Sequence, residues 1–160
     1  MTWLDPVAIL LVLIIAWLES IRGFGRSIFD LVGALLSVKL AAFLAPTLGD
    51  MAPISQSSGS AEAFWLSVTF VVFAGLTILV SRLIYQTTLL SLDVLDPVVG
   101  AVLGAVSGMV VAHVFLKTIL LAYADTEFAD VVLGSFVGQE LLQFRTYHNV
   151  VRALYNIGSW

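Results

Sequence analysis

Lys39 is the residue whose type and place most demand an explanation: a cation near the middle of an apolar stretch covering about 27–48. Deep in a bilayer, a charged lysine costs about 2.5–3.5 kcal/mol on insertion scales. It therefore serves an ion or proton path, pairs with an acid from elsewhere, or snorkels to an interface or wet cleft. Asp30 is not its helical partner, because nine residues place it on the opposite side. His113 and Lys117 are four apart, hence on one helix face and roughly opposite Gly104. Two readings stay open for them. One is a proton relay through a histidine able to titrate near neutrality; the other is a histidine bonded to a neighbouring helix, with Lys117 reaching the headgroups. Arg22, Arg26 and Asp30 are also spaced by four, and Glu19 is near enough to pair with Arg22. Such a group sets topology through local ion pairs worth little each, or it docks a partner or an anionic headgroup.

No catalytic constellation is legible. The two histidines, His113 and His148, stand in different environments, and the many serines lack a base. There is no His-Glu-x-x-His pattern, no Gly-x-Ser-x-Gly elbow and no P-loop. Zero cysteines remove disulfides, thiolate metal sites and thiol nucleophiles. The expectation is a protein without enzymatic activity, cofactor or metal.

The elements that would hold these residues are membrane helices. Of 160 residues 60% are hydrophobic and only 11% charged, against about 25% charged in an ordinary soluble domain. A mean hydropathy of +1.04 points the same way. The net charge of −4 argues against nucleic acid and against a polybasic anchor on anionic lipid. A span needs about 20 apolar residues, and four stretches qualify, over about 3–21, 27–48, 62–84 and 98–123. The first has no Lys or Arg ahead of its apolar run, which favours an uncleaved span over a signal peptide. Asp5-Pro6 and Asp96-Pro97 carry helix-entry chemistry, aspartate as N-cap and proline at the first helical position. Ala45-Pro46 is expected to end the second span, and the Gly/Pro/Ser-rich segment 49–61 to form a loop. Gly100, Gly104 and Gly108 form a stripe that lets another helix backbone approach closely, in the same chain or a second copy.

The expected architecture is an all-α four-helix membrane bundle, 1–123, followed by an amphipathic helical tail, 124–160. In the tail, Phe144, Tyr147, Val151, Leu154 and Tyr155 oppose Arg145, Asn149, Arg152 and Asn156. That stripe lies in the membrane interface or on the protein's own loops. Arg22 and Arg26 in the first connection and Arg82 near the third place those connections in the cytoplasm, hence both termini outside. Trp3 and Trp65 would then share the outer interface. Leu4-Asp5-Pro6-Val7 recurs as Leu95-Asp96-Pro97-Val98, an offset of 91 residues that also relates Phe24 to Phe115 and Arg26 to Lys117. It marks either an inverted repeat or two similar caps.

Three features, in this order and spacing, resemble the colicin V production protein (CvpA) family: Trp3-Leu4-Asp5, the turn Arg22-Gly23-Phe24-Gly25-Arg26, and Asp96…Gly100…Gly104…Gly108. The resemblance implies a small bacterial inner-membrane protein with four helices, linked to colicin V production or export and to envelope robustness. It carries over no catalytic residue. Its recurring positions would fall on Asp5, Arg22, Gly23, Arg26, Asp96 and the three glycines, while Lys39 stands where the family looks apolar. The expected role is a component or scaffold in the membrane, its partners being the bilayer and a membrane or envelope protein. The alternative is a small channel or transporter built from several copies, with Lys39 or His113 and Lys117 on a wet path.

Overall fold

A computed structural model describes residues 2–52, 54, 58–88, 95–146 and 148. Among them are six helices and no strand: α1 (Leu4–Arg22), α2 (Phe24–Met51), α3 (Ser58–Thr88), α4 (Asp96–Ala122), α5 (Glu127–Gly134) and α6 (Phe136–Gln143). The first four each contain a window of mean hydropathy between 2.0 and 2.3, long and apolar enough to cross a membrane. Their outward faces carry large bare side chains such as Trp17, Phe43, Val71 and Leu83, the arrangement of a bundle whose solvent is lipid.

Packing is pairwise. The α1 helix lies antiparallel on α4, and α2 antiparallel on α3, with α2 and α3 both touching α4. One core, of Leu4, Ala8, Ala112, Leu116, Val132 and Val137, joins α1 and α4 to the short helices α5 and α6. The other, of Ala41, Ala45, Leu66, Phe70 and Val114, joins α2, α3 and α4. Small residues, Ala8, Ala41, Ala45 and Ala112 in the cores and Gly33, Gly100, Gly104 and Gly108 beside them, stand where helices meet, as close approach between membrane helices requires. The two Leu-Asp-Pro-Val motifs consequently sit at opposite ends of the α1–α4 pair.

Three expectations are corrected. Pro46 does not end the second span, since α2 continues through it to Met51. The lost amide bond falls on the exposed side of the helix, while neighbouring Ala45 is buried against α3, so packing carries the helix past the ring. Asp5 and Asp96 are not N-caps. The helices begin earlier, with Trp3 and Leu95 at the cap positions, and both aspartates lie inside the first turn. Finally, Arg22 does not share a helix with Arg26 and Asp30, because Gly23 separates α1 from α2 in a one-residue turn. Of the stripe expected along the tail, Phe144 and Arg145 are described. Tyr147, Asn149, Val151, Arg152, Leu154, Tyr155 and Asn156 lie outside the described residues.

Candidate functional site

At the Gly23 end, the turn gathers charge. Gly23 has φ 81° and ψ 170°, a region open in practice to glycine alone, and this reversal lays the start of α2 against the end of α1. Glu19 is buried there. Its Oε1 accepts a 2.6 Å hydrogen bond from Arg22. Ser27 Oγ lies 2.8 Å from both Glu19 Oε2 and the Gly23 carbonyl oxygen, its single proton shared between them. The same Arg22 Nη1 reaches Asp30 Oδ2 at 3.3 Å, and Arg26 Nε stands 3.7 Å from that oxygen. Two guanidinium groups thus meet two carboxylates. Ion pairs buried this far hold position more than they add stability, because desolvation offsets much of their attraction.

The glycine stripe explains how Glu19 can be buried at all. Gly100, Gly104 and Gly108 face α1 of the same chain. A Cβ on Gly100 would stand 2.6 Å from the Glu19 carbonyl oxygen, one on Gly104 2.6 Å from Glu19 Cβ, and one on Gly108 2.8 Å from Val12 Cα. Asp96 closes the same end of the pair, its Oδ2 placed 3.1 Å from where a Gly23 Cβ would be.

At the opposite end, Asp5 ties the start of α1 to the start of α6. Its Oδ2 accepts the Thr2 amide at 2.7 Å and its Oδ1 accepts the Val137 amide at 2.9 Å. Val137 lies in the first turn of α6, where amides have no intrahelical acceptor. Ser135 caps the same helix, accepting from Gly138 N at 2.9 Å while donating to the Val132 carbonyl at 2.7 Å. The paired helices α5 and α6 are thereby held against α1 and α4. His113 Nδ1 lies 2.8 Å from the Leu141 carbonyl oxygen. A carbonyl only accepts, so Nδ1 carries the proton.

Lys39 and His113, far apart in sequence, line one groove between α2 and α4, together with Leu141 and Phe144; its volume is about 720 Å³ and its walls are otherwise apolar. Lys117 is not among the lining residues. It lies one turn beyond His113, beside Thr118, whose hydroxyl is 3.2 Å from that of Ser67. Trp3 packs on Phe128 with ring centroids 5.8 Å apart, and Trp65 Nε1 donates to the Ala52 carbonyl at 3.0 Å. Both tryptophans belong to this end of the bundle. Two partnerships escaped the sequence reading: Ser27 with Glu19, and Asp5 with Val137. The first spans eight residues across the Gly23 turn, so no helical spacing signals it. Nothing local signals the second.

Fold and site define a multi-pass α-helical membrane protein, stapled at one end by buried ion pairs and at the other by a carboxylate on a helix N-terminus. The family model for colicin V production protein matches residues 4–143, the whole stretch from the start of α1 to the end of α6. The chain belongs to that family, and membership supports a role in colicin V production. No curated protein and no solved structure matches it.

Proposed function

We propose that this protein is a non-catalytic scaffold of the bacterial inner membrane, supporting colicin V production or export and envelope maintenance by holding a membrane or envelope protein partner. The observation that carries the reading is the match from Leu4 to Gln143, which includes the docked α5–α6 pair as well as the four spans. The helix ends are spent on internal fixation. Arg22, Glu19, Asp30 and Ser27 bind one another, and Asp5 binds α6. Such an arrangement suits a rigid platform, with a lipid-facing surface left for association. By the distribution of Arg22, Arg26 and Arg82, the Gly23 end faces the cytoplasm and both termini face outward.

The test is extraction into lipid nanodiscs from cells exporting colicin V, followed by mass measurement of the complex. A second protein in fixed ratio is the expected result. A closed homo-oligomer without partner, conducting ions in proteoliposomes, would replace the scaffold by a channel. In that case flux must also fall in the Lys39→Ala, His113→Ala double variant.

A further inference from the structure

The groove between α2 and α4 has a polarity that its size alone does not explain. Val32, Leu35, Val106 and Met109 form its apolar length, and Lys39 and His113 stand towards one end, where Leu141 and Phe144 lie beside the His113 ring. The depth of each group follows from the packing. Leu4 and Ala8 share a core with Ala112 and Leu116, and Trp3 precedes Leu4, so His113 lies about one helical turn, ~5 Å, inside the interface marked by Trp3. Ala41 packs with Val114, which puts Lys39 at nearly the same level. Val32 and Val106 are seven residues earlier on their helices, about 10 Å deeper at 1.5 Å per residue. The groove therefore runs inward from a cation just below the headgroups to a wholly apolar floor.

Lys39 is exposed, and among the described residues no carboxylate lies within ion-pair distance of it. Glu140, at a similar depth, already accepts the Thr146 amide at 3.1 Å. Arg145, next in the chain to Phe144 and bonded to the Gln139 side chain, adds a second cation near the same end. A lysine stem of this length carries its ammonium outward to the phosphate level while its methylenes stay on apolar surface.

We propose that this groove binds one anionic phospholipid, its phosphate on Lys39, with His113 beside the headgroup, and one acyl chain along Val32, Leu35, Val106 and Met109. The occupant is long and apolar and bears a single anion at the end where the groove has its cation. A volume near 720 Å³ with few polar groups is of the kind that holds one small ligand. A zwitterionic lipid would bring its own cation against Lys39. The site is separate from the scaffold reading, which stands or falls on a copurifying protein.

The experiment uses the full chain in nanodiscs of phosphatidylcholine with a minority of phosphatidylglycerol, released for native mass spectrometry. One phosphatidylglycerol is expected to stay on the protein in preference to phosphatidylcholine. Lys39→Ala should lower that retention about fivefold, the size of one cation's attraction to an anionic surface, and Lys39→Arg should keep it. Val106→Trp, which fills the groove without touching charge, should lower it too. Arg82→Ala, at the far end, should not. Circular dichroism confirms that each variant is folded. Equal retention of the two lipids by the parent protein, or equal phosphatidylglycerol retention by the parent and Lys39→Ala, overturns the site. A dimer without lipid assigns the groove to a second copy and overturns it as well.

Discussion

The Asp5 carboxylate accepts the Val137 amide at 2.9 Å across 132 residues of chain. This contact joins the first turn of α1 to the first turn of α6, and it is buried on all sides, with Asp5 only 1% exposed. A charge there is tolerable because both oxygens are occupied, one by Val137 and the other by Thr2. The negative end of the pair also meets the positive end of a helix dipole. The α5–α6 pair is thus part of the membrane domain's own packing, held by a polar bond at one edge and by Val132 and Val137 in the core at the other.

Removing that bond should loosen α6 without unfolding the spans. Hydrogen bonds to a charged group contribute about 1.5–3 kcal/mol, so Asp5→Ala should speed exchange of the Val137 and Gly138 amides roughly tenfold to a hundredfold. Asp5→Asn keeps an acceptor oxygen and should fall between. Hydrogen–deuterium exchange of the membrane-embedded protein reads both. Unchanged protection of α6 in Asp5→Ala would mean that Val132 and Val137 hold the helix unaided.

The glycine stripe makes a second prediction, graded by distance. Gly104→Ala places a Cβ 2.6 Å from Glu19 Cβ and 2.8 Å from Ala16 Cα, whereas Gly75 has nothing within 4 Å of the same atom. Overpacking of this kind costs about 1–3 kcal/mol. Gly104→Ala should therefore lower the midpoint of unfolding in mixed micelles. Gly104→Leu should abolish assembly and colicin V production together, while Gly75→Ala leaves the midpoint in place or raises it. A Gly104→Leu protein that assembles and supports colicin V production normally would show that α1 and α4 need not touch.

Much of the fold was legible because lipid imposes a simple rule. Spans must be long, apolar and helical, and the four apolar stretches obeyed it. The boundaries were less legible, and Pro46 shows why. A rule about local backbone preference ended the second helix there, but burial of Ala41 and Ala45 against α3 carried it on. At the Gly23 end the charges themselves were readable from spacing, including Glu19 with Arg22. That Arg22 would reach Asp30 across a turn, and not along one helix, depended on the conformation of Gly23. Lys39 and His113 lay on separate helices with nothing in either neighbourhood to pair them. Their shared groove exists only because α2 runs beside α4.

Gly23 supplies the last prediction, and it separates two causes that coincide at one residue. Its backbone, at φ 81° and ψ 170°, is strained for any residue with a Cβ by about 1–3 kcal/mol. A Cβ would also crowd Asp96 Oδ2 at 3.1 Å. If crowding were the whole matter, Asp96→Ala would rescue Gly23→Ala. Backbone strain predicts otherwise: the double variant should unfold nearly as easily as Gly23→Ala alone. Gly23→Asn should fare no better, because asparagine's tolerance covers the left-handed helical region and not this one. The same variants should lose the close placement of Ser27 and Asp30 on α1, read as faster amide exchange over residues 24–30. Full rescue by Asp96→Ala would assign the glycine requirement to packing against α4 and remove the turn's conformation from the explanation.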